Sequence, residues 1–193
     1  MAKDAIKYKV IAIGGSAGSL DIILKIVASA SANTTMVYII ILHRKPDAES
    51  ILESLFSSRT DLIVREVEDK DNLQPGHVYI APADYHLLLE DKKNFSLDSS
   101  EKVFFSRPSI DVTFESIAEI YGACAIGVLL SGANADGAKG LSSIKKAGGF
   151  TIVQNPKSAE VDYMPRRAIE QLQPNAIVDA DEIPSFLNKL IAH

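Results

Sequence analysis

The sequence lacks several features that particular classes of protein require. One cysteine, Cys124, stands among 193 residues, so an internal disulfide and a cysteine-based zinc cluster are both excluded. Aspartate and glutamate outnumber lysine and arginine by 25 to 20, and the net charge of −5 argues against general nucleic-acid binding. No apolar run approaches the roughly 20 residues that span a bilayer, and the first residues contain no signal-peptide core. We therefore expect a cytoplasmic protein without membrane insertion and without a nucleic-acid partner.

The chain does contain short apolar runs that alternate with helical patterns. Hydrophobic residues make up 47% of it, and the length suits one domain, so we predict a single domain over 1–193. The apolar runs are nearly continuous in Val, Ile and Leu, which favours a doubly wound α/β fold with a mostly parallel sheet and helices on both faces. The predicted strands cover 9–14, 36–42, 125–130, 150–155 and 176–179. The predicted helices lie near 18–30, 47–58, 110–121, 137–147, 165–172 and 182–191. Three further runs within 77–99 are separated only by turn-like residues and predict an antiparallel hairpin or meander.

The segment Gly14-Gly15-Ser16-Ala17-Gly18 follows the first predicted strand. It lacks the glycine spacing of a dinucleotide site and the Gly-Lys-Ser/Thr ending of a P-loop. It does have the G-x-S-x-G spacing of a nucleophile elbow, in which glycines keep space clear around the serine hydroxyl. The alternative is an ordinary turn whose serine caps the next helix.

A nucleophilic serine needs a base and a group that orients the base. Among the four histidines, His43 directly follows the second predicted strand, at the carboxyl end where sites gather in such sheets. Asp136 lies in a Gly- and Ala-rich loop after a third strand. Each has a simpler interpretation, His43 as a surface residue and Asp136 as a helix cap, and these alternatives stay open on the residues alone.

Several motifs in one order resemble the catalytic domain of the chemotaxis protein-glutamate methylesterases (CheB-type), over nearly the whole chain. The segments that carry this resemblance are Gly14–Ser19, His43 within "LHRKP", "QPGHVYIAP" (74–82), "RPSID" (107–111), "SGANADGA" (131–138) and "YMPRRAI" (163–169). The resemblance implies the same α/β fold, without cofactor or metal.

The resemblance also implies a reaction and its residues. A serine hydrolase of this kind cleaves glutamate γ-methyl esters on chemoreceptor helices to glutamate and methanol, and family members also deamidate receptor glutamines. Ser16, His43 and Asp136 are then the catalytic triad. The oxyanion or substrate contacts fall on Ala17, Gly132, Ala133, Arg107 and Met164. The partner is a methylated chemoreceptor.

The sequence departs from the family pattern on the walls of the predicted site, at Ala17, Ser19, Arg44, Lys45, Ala133 and Asn134. Only about eight residues precede the first predicted strand, so the receiver domain usual in the family is not expected here, and a separate regulatory protein would replace it. The departures favour, as an alternative, a catalytically weak or inactive relative that acts as a binding module for a receptor or signalling partner. A nucleotide-binding domain of Rossmann type is a third hypothesis, against which the failed glycine fingerprint argues.

Overall fold

Nine strands and six α-helices make up the described part of the fold. The computed structural model describes residues 9–46 and 51–192. The strands are β1 Val10–Gly15, β2 Val37–Leu42, β3 Ile63–Glu66, β4 His77–Ile80, β5 His86–Leu89, β6 Phe95–Asp98, β7 Ala125–Leu129, β8 Phe150–Gln154 and β9 Ala176–Val178. The helices are α1 Leu20–Ala28, α2 Leu52–Ser57, α3 Ile110–Tyr121, α4 Ala138–Lys146, α5 Tyr163–Gln171 and α6 Ile183–Ile191.

Seven strands form one parallel sheet in the order β3-β4-β2-β1-β7-β8-β9. After β1 the chain adds β2, β3 and β4 on one side, with β4 between β2 and β3, and then returns to add β7 on the other side. The carboxyl ends of β1, β2 and β7 therefore lie side by side at the centre of the sheet, where the direction of strand addition reverses. In open α/β sheets this crevice is the usual place for a functional site.

Both faces of the sheet are covered, which explains why its strands are almost wholly apolar. Successive residues of β1 point to opposite faces: Val10 and Ala12 belong to one buried cluster, and Ile11 and Ile13 belong to the other. Helix α3 packs on the first face and α1 on the second. This arrangement confirms the predicted doubly wound α/β fold.

The region 77–99 divides between two sheets. Strands β5 and β6 form the predicted antiparallel hairpin, which packs against α3. Strand β4, by contrast, lies in the main sheet, parallel to β2 and to β3. The run 77–80 is therefore a buried parallel strand and no part of a meander. The prediction contained no strand at 63–66, because this edge strand alternates exposed and buried residues and carries two charged side chains.

The predicted helices are all present. Helix α3 has its predicted bounds, α5 begins two residues before the predicted 165–172, and the other four are shorter than predicted. Residues 47–50 of the helix predicted over 47–58 lie outside the described residues, and α2 covers Leu52–Ser57. Helix α3 begins at its predicted residue because Ser109 caps it: the Ser109 hydroxyl accepts a hydrogen bond from the Val112 N–H at 3.3 Å. Across 9–46 and 51–192, no helix has the length and apolar character that a bilayer crossing requires.

Candidate active site

Ser16 lies at the carboxyl end of β1, in the tight turn that leads into α1. Its backbone N–H donates to the carbonyl of Ser131 at 2.9 Å, and its own carbonyl accepts from the Ser19 hydroxyl at 2.7 Å. Gly18 has a φ of +79°, a conformation that favours glycine. Ser19, and not Ser16, is the residue directly before α1. The interpretation of Ser16 as the helix cap is therefore wrong, and its half-buried side chain stays available for other chemistry.

His43 continues the pairing of β1 with β2 by one step. Gly15 pairs with Leu42, and the His43 N–H donates to the Gly15 carbonyl at 3.3 Å, so Ser16 and His43 follow the last paired residues of neighbouring strands. Adjacent strands lie about 4.8 Å apart. Within the described residues the Ser16 hydroxyl forms no hydrogen bond to the imidazole. Such contacts are often long without substrate and shorten in the complex.

The side chains of Asp136 and His43 form a direct hydrogen bond. The imidazole Nε2 lies 2.7 Å from Asp136 Oδ2, and the aspartate is fully buried. A carboxylate accepts hydrogen bonds, so Nε2 carries the proton and Nδ1 keeps the lone pair that a general base requires. These two residues are 93 positions apart in the sequence, and the order of strands brings them together.

The Asp136 carboxylate lies against the first turn of α3. Oδ1 accepts from the Ser109 hydroxyl at 2.8 Å and from the Asp111 N–H at 2.9 Å, and Oδ2 also accepts from the Ile110 N–H at 2.6 Å. Burial by itself raises the pKa of Asp136, but the hydrogen bonds from His43 and from the backbone outweigh it and hold the pKa below its ordinary value. Asp136 is therefore an anion that can stabilise an imidazolium.

Asp111 is a second buried acid in the same region, and its position in the sequence predicted no separate role for it. Its Oδ1 accepts from the N–H groups of Gly137 and Gly140, at 2.9 and 2.7 Å, and so caps α4. Burial raises the pKa of Asp111 to about 6, and the nearby charge of Asp136 acts in the same direction. Of the two carboxyls, Asp111 takes the proton more readily.

His86 supports the start of α3, a role that sequence reasoning missed. Its Nδ1 accepts from the Ser109 N–H at 3.1 Å, so its Nε2 carries the proton and donates to the Glu101 carbonyl at 2.9 Å. The ring is buried and neutral in this arrangement. The position of His86 at the start of a short strand gave no signal of this contact, because its partners are backbone groups 15 and 23 residues away.

The predicted oxyanion residues differ in the state of their backbone N–H groups. Across the described residues, the N–H groups of Ala17 and Ala133 have no hydrogen-bond acceptor, whereas the Gly132 N–H donates to Val161 at 3.0 Å. Gly132 instead provides space: a Cβ there would lie 2.5 Å from Cε of Met164 and 3.1 Å from Cβ of Ser16. The buried Met164 thus forms a wall beside the serine loop.

Arg107 lines the cavity next to His43, and its guanidinium is largely occupied. It donates to Asp84 Oδ1 at 2.7 and 3.2 Å and to the carbonyls of Ser99 and Ser100 at 2.6 and 2.7 Å. These bonds hold the loop that leads into α3. The role of Arg107 in substrate binding stays a prediction, and Arg44 beside it pairs with Glu66 at 2.8 Å. No group of three or more His, Cys, Asp or Glu among the described residues is placed to hold a metal ion.

The chain is an α/β domain of the hydrolase class. A buried aspartate–histidine pair and a glycine-rich serine loop lie at the central carboxyl ends of its parallel sheet, which defines that class. A family model described as CheB methylesterase matches residues 11–187. The chain belongs to this family.

Individual relatives agree with this assignment. A putative protein-glutamate methylesterase/protein-glutamine glutaminase of Leptospira interrogans is 40% identical over 187 residues, which are 95% of each chain. A Thermotoga maritima protein-glutamate methylesterase/protein-glutamine glutaminase is 33% identical, over 99% of this chain and 56% of the relative. The crystal structure of the Thermotoga maritima CheB methylesterase catalytic domain superposes with a TM-score of 0.89 at 33% identity, over 95% of this chain and 98% of that one.

Proposed function

We propose that this protein is a cytoplasmic protein-glutamate methylesterase that cleaves glutamate γ-methyl esters on chemoreceptor helices to glutamate and methanol, and that also deamidates receptor glutamines. The observation that carries the proposal is the 2.7 Å contact between buried Asp136 and His43, at the strand end adjacent to Ser16. The names of the relatives, which join the two activities, support the choice of substrate.

The mechanism assigns one role to each side chain. The Ser16 Oγ attacks the ester carbonyl while Nδ1 of His43 takes its proton, and Asp136 stabilises the imidazolium that results. In this mechanism the oxyanion accepts from the Ala17 and Ala133 N–H groups, which lack an acceptor among the described residues. The imidazolium then returns the proton to the departing methoxide, and methanol leaves.

The second half of the reaction consumes water. His43 takes a proton from a water molecule, whose oxygen attacks the acyl-enzyme carbonyl and releases glutamate and the Ser16 hydroxyl. A glutamine side chain passes through the same acyl-enzyme with ammonia as the leaving group. One site therefore accounts for both activities in the names of the relatives.

The test is methanol release from a methylated chemoreceptor, comparing the intact protein with Ser16→Ala. We expect the variant to lose the activity while its unfolding curve stays unchanged, because a half-buried hydroxyl without a hydrogen-bond partner in the described residues contributes little to stability. The matched control is Ser185→Ala, which removes an exposed serine hydroxyl on α6 and should release methanol at the wild-type rate. Full activity of Ser16→Ala would refute the nucleophile.

A catalytically weak binding module is the second candidate. The observation that favours it is the lack of a hydrogen bond between the Ser16 hydroxyl and His43 in the described structure. A serine-directed phosphonate separates the two candidates. Labelling of Ser16 that depends on His43 supports the enzyme, and a protein that binds receptor but is never labelled supports the binding module.

A further inference from the structure

A four-residue turn, Val103–Ser106, projects beside the candidate site and is called the aromatic turn below. Val103 and Ser106 exchange two backbone hydrogen bonds, of 3.1 and 2.9 Å. The two residues between them, Phe104 and Phe105, both have positive φ, of 48° and 62°. Turns of this type are normally built from Asn, Asp and Gly, because other side chains rarely adopt the left-handed conformation.

The two phenylalanines are also exposed. The accessible fraction is 96% for Phe105 and 50% for Phe104. Two consecutive bulky residues in the left-handed conformation destabilise the folded state, and exposed aromatic rings lower the solubility of the protein. The contacts within the described residues therefore do not explain why two phenylalanines occupy this turn. A contact between these rings and another molecule would explain it.

The aromatic turn is fixed relative to the catalytic loop through Asn134. The Asn134 Nδ2 donates to the Phe104 carbonyl at 3.2 Å and to the Ser106 hydroxyl at 3.3 Å. The Asn134 Oδ1 accepts from the Asp136 N–H at 2.8 Å. Phe105 also lines a cavity of about 380 Å³ together with His43. A molecule held by the rings would thus lie at the mouth of the site.

The charges around this cavity indicate the kind of molecule. Lys45 and Lys102 line the same cavity, both are exposed, and neither forms an ion pair within 9–46 or 51–192. Arg44 and Arg107, by contrast, pair with acids of the chain. The two exposed rings complement an apolar stripe on a partner, and the two exposed lysines complement carboxylates that flank that stripe.

We propose that the aromatic turn docks the acidic amphipathic helix that carries the target side chain, by seating Phe104 and Phe105 against the apolar stripe of that helix. This inference rests on the proposed function and adds the element that selects the protein substrate. Helices recognised in this way present anchors at spacings of three and four residues, which two neighbouring rings can contact.

The test uses Phe104→Asn with Phe105→Gly, which removes both rings and supplies the residues that the turn prefers. We expect the doubly substituted protein to unfold at the same or a higher temperature than wild type. We expect the ratio of kcat/KM on methylated receptor to kcat/KM on p-nitrophenyl acetate to fall about tenfold or more, as for aromatic anchors at interfaces. Ile177→Ala, which shortens an exposed apolar side chain on the edge strand β9, is the control and should keep the wild-type ratio.

A second measurement separates docking from turnover. The affinity of Ser16→Ala for a receptor fragment is compared with and without the two turn substitutions, and we expect them to weaken it about tenfold. An unchanged ratio, or equal affinities in this comparison, would overturn the docking role. A wild-type protein that releases no methanol would instead overturn the proposed function, and the affinities would then decide on docking by themselves.

Discussion

Replacing Asp136 by asparagine changes a side chain on which the site and the start of α3 both depend. Four donors point at its two oxygens: Ser109 and Asp111 at Oδ1, and Ile110 and His43 at Oδ2. An amide has one acceptor oxygen and one NH₂ group. Whichever way the amide turns, one backbone N–H of α3 then faces the NH₂ group. Asp136→Asn therefore leaves a buried donor without an acceptor and also removes the negative charge beside the imidazole.

The magnitude of both effects follows from these contacts. A buried, unsatisfied N–H together with the loss of charge-assisted hydrogen bonds costs about 3 kcal/mol of the free energy of unfolding. For a domain of this length, that cost lowers the unfolding temperature by roughly 6–12 °C. Without the carboxylate the imidazolium is no longer stabilised, so we expect kcat to fall about 10³–10⁴-fold, as for the aspartate of other serine hydrolases.

The stability difference also has a pH signature. The pKa of folded Asp136 is below its ordinary value of 3.8, because the hydrogen bonds from His43 and the backbone outweigh the effect of burial. The ionised carboxylate therefore stabilises the fold above pH 3.8, and this stabilisation is lost as the pH falls through the folded pKa. The gap in unfolding free energy between wild type and Asp136→Asn should narrow below pH 4.

Urea unfolding at several pH values and methanol release from methylated receptor measure these effects. Asp21→Asn is the matched control, since it makes the same chemical change in an exposed acid paired with Lys25 on α1, where exposed ion pairs contribute little. It should keep wild-type stability to within about 0.5 kcal/mol. A folded Asp136→Asn protein with more than about a tenth of the wild-type kcat would refute the role given to the carboxylate.

Two further substitutions test the surroundings of the site. Burial raises the pKa of folded Asp111 to about 6, so its charge costs stability above that pH, by up to about 3 kcal/mol relative to an ordinary carboxyl. Asp111→Asn keeps an acceptor oxygen for α4. Thermal unfolding should show that the variant is more stable than wild type at pH 7.5 and that this difference disappears near pH 4. An equal increase in stability at both pH values would contradict the raised pKa. Gly132→Ala places a methyl group 2.5 Å from Cε of Met164 and 3.1 Å from Cβ of Ser16. The methionine side chain can move, but the turn around the serine cannot. We therefore expect methanol release to fall at least about tenfold and the free energy of unfolding in urea to fall by about 1–2 kcal/mol. A wild-type rate of methanol release would show that the loop has room for the methyl group.

Much of the candidate site was predictable because its residues follow the carboxyl ends of strands. The apolar runs before Ser16 and His43 read directly as buried parallel strands, and such strands place their following residues at one edge of the sheet. The contact between Asp136 and His43 agrees with that reasoning. The same rule could not place β4, because a short run between turn-like residues fits a hairpin as well as a parallel strand.

The sequence by itself determined the alternation of strands and helices, and with it the edge at which a hydroxyl, an imidazole and a carboxylate collect. Only the tertiary structure decided which groups hold them. The His86 ring contacts backbone groups 15 and 23 residues away, and the Ser109 hydroxyl donates to the carboxylate of Asp136. Arg107 uses its guanidinium to fix a loop. The left-handed conformation of Phe104 and Phe105 is likewise visible only in the structure. Periodicity records which face of an element is buried, whereas hydrogen bonds between distant segments depend on how the elements pack, which no local pattern encodes.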